Sequence, residues 1–164
     1  MQHQDDYPHL PWTGEVKWRL IASGLGCGFA PFAPGTLASA VTLLPGALML
    51  HLSPAALPAA ALIAALAGLW VIRAAHVVGD PGWVVIDEIA GQLLALCGLA
   101  HASVAGVLAA FVIFRLLDVA KPGPIGWADR QGGPAGIMAD DVIAGAITAG
   151  ILWAIGLRWP AWLG

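Results

Sequence analysis

Two pairs of adjacent acids, Asp87-Glu88 and Asp140-Asp141, carry most of the chemistry this sequence can offer. One carboxylate at a helix start is enough to cap the free N–H groups and offset the positive end of the dipole. Adjacent acids on two separate helices exceed that need. Together with Asp118 and Asp129 they supply the oxygen-rich surroundings that Mg²⁺ prefers, and a bound cation would relieve the repulsion between crowded carboxylates. The pattern points to one or two Mg²⁺ ions held by Asp87, Glu88, Asp140 and Asp141.

Arg115, Asp118 and Lys121 fall at intervals of three, so on a continuing helix they share one face. A ladder of snorkelled or paired charges has this spacing, but cations beside metal-binding carboxylates are also what an anionic substrate needs. Ionisable groups at a membrane boundary are costly enough that function is the default reading. Arg115 and Lys121 would neutralise phosphoryl oxygens, and Asp118 would serve as ligand or nucleophile. The segment GFAPFAPGTLAS, Gly28 to Ser39, sets two prolines and Gly35 before a helix opening at Thr36, with Ser39 a turn later. Free N–H groups there, with the Thr36 hydroxyl, can cap a helix or bind phosphate. The pattern GxxxxGK[ST] is absent, which removes the main support for nucleotide hydrolysis. His76 is left as an interfacial or packing residue.

The elements that must position these groups are apolar. Of 164 residues, 59% are hydrophobic and 10% charged, with a mean hydropathy of +0.82, too little polar surface for a soluble monomer. The long runs rich in Ala, Leu and Gly lack two-residue alternation, so helices and not a barrel must satisfy the backbone in lipid. The expected fold is an all-α, polytopic membrane bundle of four to five segments: Thr36 to Leu52, Ala56 to Val78, Ile89 to Leu99, Val104 to Leu117 and Val142 to Leu157. The third is short, so it and the fourth are expected to form a hairpin of short or tilted helices turning near His101 to Gly106, a pattern that a re-entrant pair shares. Residues 1–16 read as a polar tail and 17–164 as one membrane-embedded domain. Cys27 and Cys97 form no CxxC pattern and are expected to be packing residues.

If the segments alternate, Lys17, Arg19, Arg73, Arg115, Lys121 and Arg130 fall on one side and Arg158 on the other, which makes the acid-bearing side cytoplasmic. Trp12, Trp18, Trp83, Trp127, Trp159 and Trp162 lie near the proposed boundaries, where an aromatic belt belongs.

Four motifs in order, PFAPGT (Pro31 to Thr36) with Ser39, IDEIAG (Ile86 to Gly91), FRLLDVAKPGPI (Phe114 to Ile125) and GIMADDVIAG (Gly136 to Gly145), resemble the phosphatidylglycerophosphatase A family. The likeness runs from about Trp18 to the last helix and takes in Asp129 and Arg130 as substrate-binding candidates beside Gly35 and Ser39. The chain departs from the family pattern at Ala38 and in the run Gly133, Pro134, Ala135, Gly136. The resemblance implies a Mg²⁺-dependent enzyme that removes the terminal phosphate of phosphatidylglycerophosphate, leaving phosphatidylglycerol, at the cytoplasmic leaflet of a bacterial inner membrane. The lipid and the bilayer are then its partners. No nucleic-acid partner is expected, and the oligomeric state is left open.

Two other functional classes fit the residues less well. A small transporter would place its charges near the midplane of the spans, whereas here they crowd one rim. A CDP-alcohol phosphotransferase would carry DxxDGxxAR, which is missing. Attack by metal-activated water and an aspartyl-phosphate intermediate both fit the residues.

Overall fold

The computed structural model describes residues 15–159, so the polar tail falls outside the described residues except for its last two positions, as do Trp12 and Trp162. Among the described residues, seven α-helices and one 3₁₀ turn, Cys27–Phe29, account for the regular structure: α1 Glu15–Ala22, α2 Pro34–Leu52, α3 Ala56–Ala74, α4 Ile86–Leu96, α5 Val104–Ala120, α6 Pro124–Asp129 and α7 Gly133–Arg158. There are no strands among the described residues.

Three helices, α2, α3 and α7, are long and apolar enough to cross a membrane. They carry large side chains outward: Leu44, Ile63 and Trp153 are each more than half exposed. In water such a surface would be an aggregation site, whereas in lipid it costs nothing. The hairpin expected between Glu88 and Asp118 is present as α4 and α5, joined through Cys97 to Ser103. Ser103 caps α5 by accepting from the Gly106 N–H at 3.0 Å. With 11 residues, α4 rises only about 16 Å, roughly half the thickness of a bilayer's hydrocarbon core. It is the central helix, packed against α2, α3, α5 and α7.

Several helix ends differ from the hydropathy reading, each for a local reason. Helix α3 stops at Ala74 although the apolar run continues to Val78. His76 takes the left-handed conformation (φ 50°), its N–H bonds to the Arg73 carbonyl and that of Val77 to Ile72, closing the helix in a Schellman motif without a glycine. Helix α4 begins three residues before Ile89 and ends at Leu96, so Asp87 and Glu88 lie in its first turn. Helix α5 continues past Leu117 to Ala120 and so includes Asp118.

The largest difference is at α7, which begins at Gly133 with a proline in its first turn, nine residues before Val142. Asp140 and Asp141 therefore occupy its third turn and do not cap it. The polar stretch ahead of Val142 hid this start, because hydropathy follows burial and not backbone. Helix α2 likewise starts at Pro34, two residues before Thr36, and α6 lies inside a stretch read as loop.

Buried hydroxyls on the long helices are satisfied within their own turns. Ser39 donates to the Gly35 carbonyl at 2.9 Å, Thr42 to Ala38 at 2.7 Å and Thr148 to Ala144 at 2.8 Å. This bonding leaves lone pairs on each hydroxyl oxygen. Where α4 meets α7 both helices present glycine: a Cβ on Gly145 would lie 2.3 Å from the Gly91 carbonyl oxygen, and one on Gly91 would lie 2.6 Å from that of Asp141. Only the absence of side chains lets these backbones approach so closely, the device by which membrane helices pack. That contact fixes the depth at which the acids of α7 stand beside those of α4.

Cys27 and Cys97 are free and half-buried, in keeping with a packing role. Among the expected aromatic anchors, Trp18 meets Trp70 edge-on at 4.5 Å and Trp83 stacks on Phe29 at 6.1 Å. Lys17 lies over Trp18, Arg19 over Trp83 and Arg158 over Trp159.

Candidate active site

The N-terminal ends of α2, α4 and α7 and the C-terminal end of α5 meet at one end of the bundle. Between them opens a cleft of about 210 Å³ lined by Asp87, Glu88, Arg115, Asp118, Lys121, Asp140 and Asp141, with Asp80 at its rim. Every acid and base that spacing singled out on α4, α5 and α7 faces this one cavity. The two acid pairs, more than fifty residues apart in the chain, therefore share a single surface.

Within the cleft the carboxylates divide into two sets. Asp87, Glu88 and Asp141 each offer an oxygen within 4.8 Å of the others, close enough for one cation to touch all three. Asp87 and Asp141 are buried and Glu88 is nearly so. Two oxygens of this set, Glu88 Oε2 and Asp141 Oδ1, are buried without a hydrogen-bond partner. Three crowded, desolvated carboxylates with orphaned lone pairs are unfavourable by themselves and fit a divalent cation with oxygen preference.

Asp140 is turned elsewhere. Its Oδ2 accepts from Lys121 Nζ at 2.7 Å and its Oδ1 from the Asp141 N–H at 3.0 Å, so it lies outside the three-oxygen cluster. Lys121 also donates to Asp129, at the end of α6. Helix α5 has ended by then. Lys121 is its C-cap in the left-handed conformation (φ 45°), which swings the side chain away from the Arg115–Asp118 face and towards α6 and α7. The expectation that all three groups share one helical face therefore holds for two. Partial burial disfavours the Lys121 ammonium, but its bonds to Asp129 and Asp140 outweigh that and raise its pKa above the ordinary lysine value.

Arg115 pairs with Asp118, one turn along α5, and its Nη1 lies 3.9 Å from Glu88 Oε1. The guanidinium thus spans from α5 to the Glu88 carboxylate on α4, while its Nε is buried without a partner. Such an arrangement presents positive charge to an anion entering the cleft.

The first turn of α2 closes the remaining side. Ala33 adopts the left-handed conformation (φ 42°), uncommon for a residue with a Cβ, and turns the chain into Pro34. The first N–H to return to the backbone is that of Leu37, bonded to the Ala33 carbonyl at 3.0 Å, which leaves the Gly35 and Thr36 N–H groups at the open end of the helix. Gly35 lies against the Glu88 carboxylate, and Thr36 is half-buried beside it. Ser39 is fully buried one turn further in. Asp129 is held by Lys121 at the edge, and Arg130 is exposed with no ion pair among the described residues.

Asp80, which alternation of the segments puts on the acid-bearing side, is exposed in the loop after α3 and lines the cleft through the turn Asp80-Pro81-Gly82. One buried residue of this region is not singled out by spacing. Gln92 is fully buried one turn below Glu88. A lone amide inside an apolar run was the available sign.

The family model described as Phosphatidylglycerophosphatase A matches residues 20–156. Among curated proteins, the chain is 40% identical over 147 residues to "Phosphatidylglycerophosphatase A" of Escherichia coli, covering 87% of this chain and 86% of that protein. It is 32% identical over 141 residues to the protein of the same description in Haemophilus influenzae, covering 83% and 86%. It is also 34% identical over 154 residues to a Bacteroides thetaiotaomicron protein described as "Putative phosphatidylinositol-3-phosphatase", covering 84% and 94%. No solved structure matches.

Proposed function

Because the chain belongs to the phosphatidylglycerophosphatase A family and is a phosphatase, we propose that it hydrolyses the terminal phosphate monoester of phosphatidylglycerophosphate to phosphatidylglycerol and phosphate, dependent on Mg²⁺, at the cytoplasmic leaflet of a bacterial inner membrane. The observation that carries this reading is the meeting of Asp87, Glu88 and Asp141 with the Arg115 guanidinium in one cleft at one end of a lipid-facing bundle. A phosphate monoester is a compact dianion at a lipid headgroup, and the cleft offers cationic groups to bind it beside acids able to hold a metal.

Mg²⁺ held by Asp87, Glu88 and Asp141 would supply Lewis-acid neutralisation of phosphate oxygens and a lowered pKa for water. The chain's own groups would do the rest. Arg115 and the Gly35 and Thr36 N–H groups bind the equatorial oxygens, since phosphoryl transfer is mostly positioning and charge stabilisation. Lys121, locked between Asp129 and Asp140, holds α5, α6 and α7 in register and adds positive potential at the rim. Asp118, oriented by Arg115, either takes the proton from the attacking water or attacks phosphorus itself. In the first route the water oxygen bonds to phosphorus as the ester P–O bond breaks, and the proton taken by Asp118 passes to the leaving glycerol oxygen. In the second the Asp118 oxygen bonds to phosphorus as the ester P–O bond breaks, the glycerol oxygen takes its proton from water, and the hydroxide left behind then cleaves the Asp118–phosphate bond to release phosphate. Arg130 and Asp129 would meet the headgroup at the edge of the site. Membrane-crossing α2, α3 and α7, with the shorter α4–α5 hairpin between them, would keep the cleft at headgroup depth, and the excess of Lys and Arg at that end supports a cytoplasmic orientation.

Phosphate release by the purified chain tests the reading. Phosphatidylglycerophosphate should be hydrolysed with Mg²⁺ and not in EDTA, and faster than phosphatidylinositol 3-phosphate at equal surface concentration. Preference for the inositol lipid would replace the substrate, and activity undiminished by EDTA would remove the metal.

A further inference from the structure

Gln92 is fully buried, and neither its Oε1 nor its Nε2 has a hydrogen-bond partner. An unpaired buried amide is destabilising, and an apolar side chain of equal size would fill the same space without that cost. The fold therefore gives no structural reason for glutamine here.

Its position supplies one. Glu88 and Gln92 are four apart on α4, the spacing at which side chains on a helix are neighbours. The α4 face they share looks at α2 along a well-defined seam: at one end Gly35 lies against the Glu88 carboxylate, and at the other Gly46 lies against Leu96, four residues beyond Gln92. Between those two glycines α2 contributes Ser39 and Thr42, both buried, whose hydroxyls donate to their own backbone and keep lone pairs for a donor. Glu88 Oε2 is also buried and unpartnered. The seam thus holds an acceptor without a donor at the level of the cleft and an unpaired donor one turn below.

We propose that Gln92 is a positioning residue for Glu88: its Nε2–H group donates to Glu88 Oε2 across one ordered water held with the α2 hydroxyls, and so fixes the carboxylate that faces the cleft. This rests on the reading of Glu88 as a metal ligand. Groups that hydrogen-bond a ligand set its orientation, and losing one typically weakens metal binding 10- to 100-fold.

Mn²⁺ binding to the purified full-length protein, followed by electron paramagnetic resonance and compared with the thermal unfolding midpoint in EDTA, separates the possibilities. Gln92→Met keeps the volume and removes the amide; it should bind Mn²⁺ at least about 10-fold more weakly, and its metal-free midpoint should fall slightly because the buried Glu88 carboxylate loses its donor. Gln92→Asn, which retains a shortened amide, should fall between Met and wild type in affinity. Wild-type affinity in Gln92→Met overturns the proposal, and so does an affinity in Gln92→Asn no better than in Gln92→Met, which would mark a packing role. The reading of the metal site itself is judged separately by Glu88→Gln. If that variant binds Mn²⁺ as wild type does, the ligand assignment fails, whatever Gln92 does.

Discussion

Gly35 and Glu88 stand so close that a Cβ on the glycine would lie 1.9 Å from the carboxylate oxygen Oε1. The first turn of α2 is thereby laid directly on the acid that heads α4, and the Arg115 guanidinium, 3.4 Å from the same point, completes the contact. A helix start with free N–H groups is brought to the cleft by the absence of one methyl group.

Gly35→Ala should therefore inactivate the enzyme more than it unfolds it. Overpacking of this kind costs about 1–3 kcal/mol of stability, but the group that must yield is Glu88 or the end of α2. We expect phosphate release to fall by about 100-fold, the scale of a small misplacement in an active site, with Mn²⁺ affinity reduced in parallel. Near-normal turnover would show that α2 does not contribute to the site.

Asp141→Asn should uncouple stability from activity. In wild type without metal, Asp87, Glu88 and Asp141 repel one another in a buried space, and removing one charge relieves this. The variant should lose Mg²⁺-dependent hydrolysis yet unfold in EDTA at a temperature roughly 2–4 °C higher than wild type, equivalent to about 1 kcal/mol. Conversely, Mg²⁺ should raise the wild-type midpoint and leave that of the variant unchanged.

Lys121 bonds to two acids of unequal burial, and the consequences of breaking each bond differ. Lys121→Met leaves Asp140 buried and unpaired, at a cost of about 3 kcal/mol. Asp129→Asn removes the half-exposed partner and should cost at most about 1 kcal/mol. The folded-state pKa of Lys121 is raised, so its contribution is fully present below the unfolded lysine value of about 10.4 and declines only as pH climbs through the folded value. Chemical denaturation at pH 6 and pH 9 should accordingly give the same penalty for Lys121→Met. A penalty that vanishes by pH 9 would place the titration elsewhere.

Gly145 and Gly150 lie on the same helix and should respond oppositely to alanine. At Gly145 the added carbon meets the Gly91 backbone, which has no side chain to move aside, whereas at Gly150 nothing lies within 4 Å. Gly145→Ala should push α7 from α4, lower the unfolding midpoint and abolish activity by drawing Asp141 away from Asp87. Gly150→Ala should keep full activity and gain up to about 1 kcal/mol from helix propensity. Equal behaviour of the two would mean that the α4–α7 contact does not set the site.

Much of this was legible without coordinates. Composition required helices in lipid, and α2 was placed to within two residues because its proline-rich start and polar end interrupt the apolar run. The acids stood out because burying a charge is so costly that each must have a reason. The ends of α3 and α7 were not legible: a Schellman turn at His76 and a helix start beneath polar residues are backbone events that hydropathy does not register.

Residue types and spacing by themselves determined the class of the protein and the acids and bases that gather at one end of the bundle, since these follow from solvation free energies that each side chain carries wherever it sits. Only the tertiary structure decided which acids cooperate. Asp140 and Asp141 are adjacent in the chain, yet one turns to Lys121 and the other to Asp87 and Glu88, because successive residues on a helix point about 100° apart and different neighbours wait on each side. The approach of glycine backbones between α4 and α7 sets the depth at which they meet, and that distance is a property of packed surfaces that no linear spacing contains.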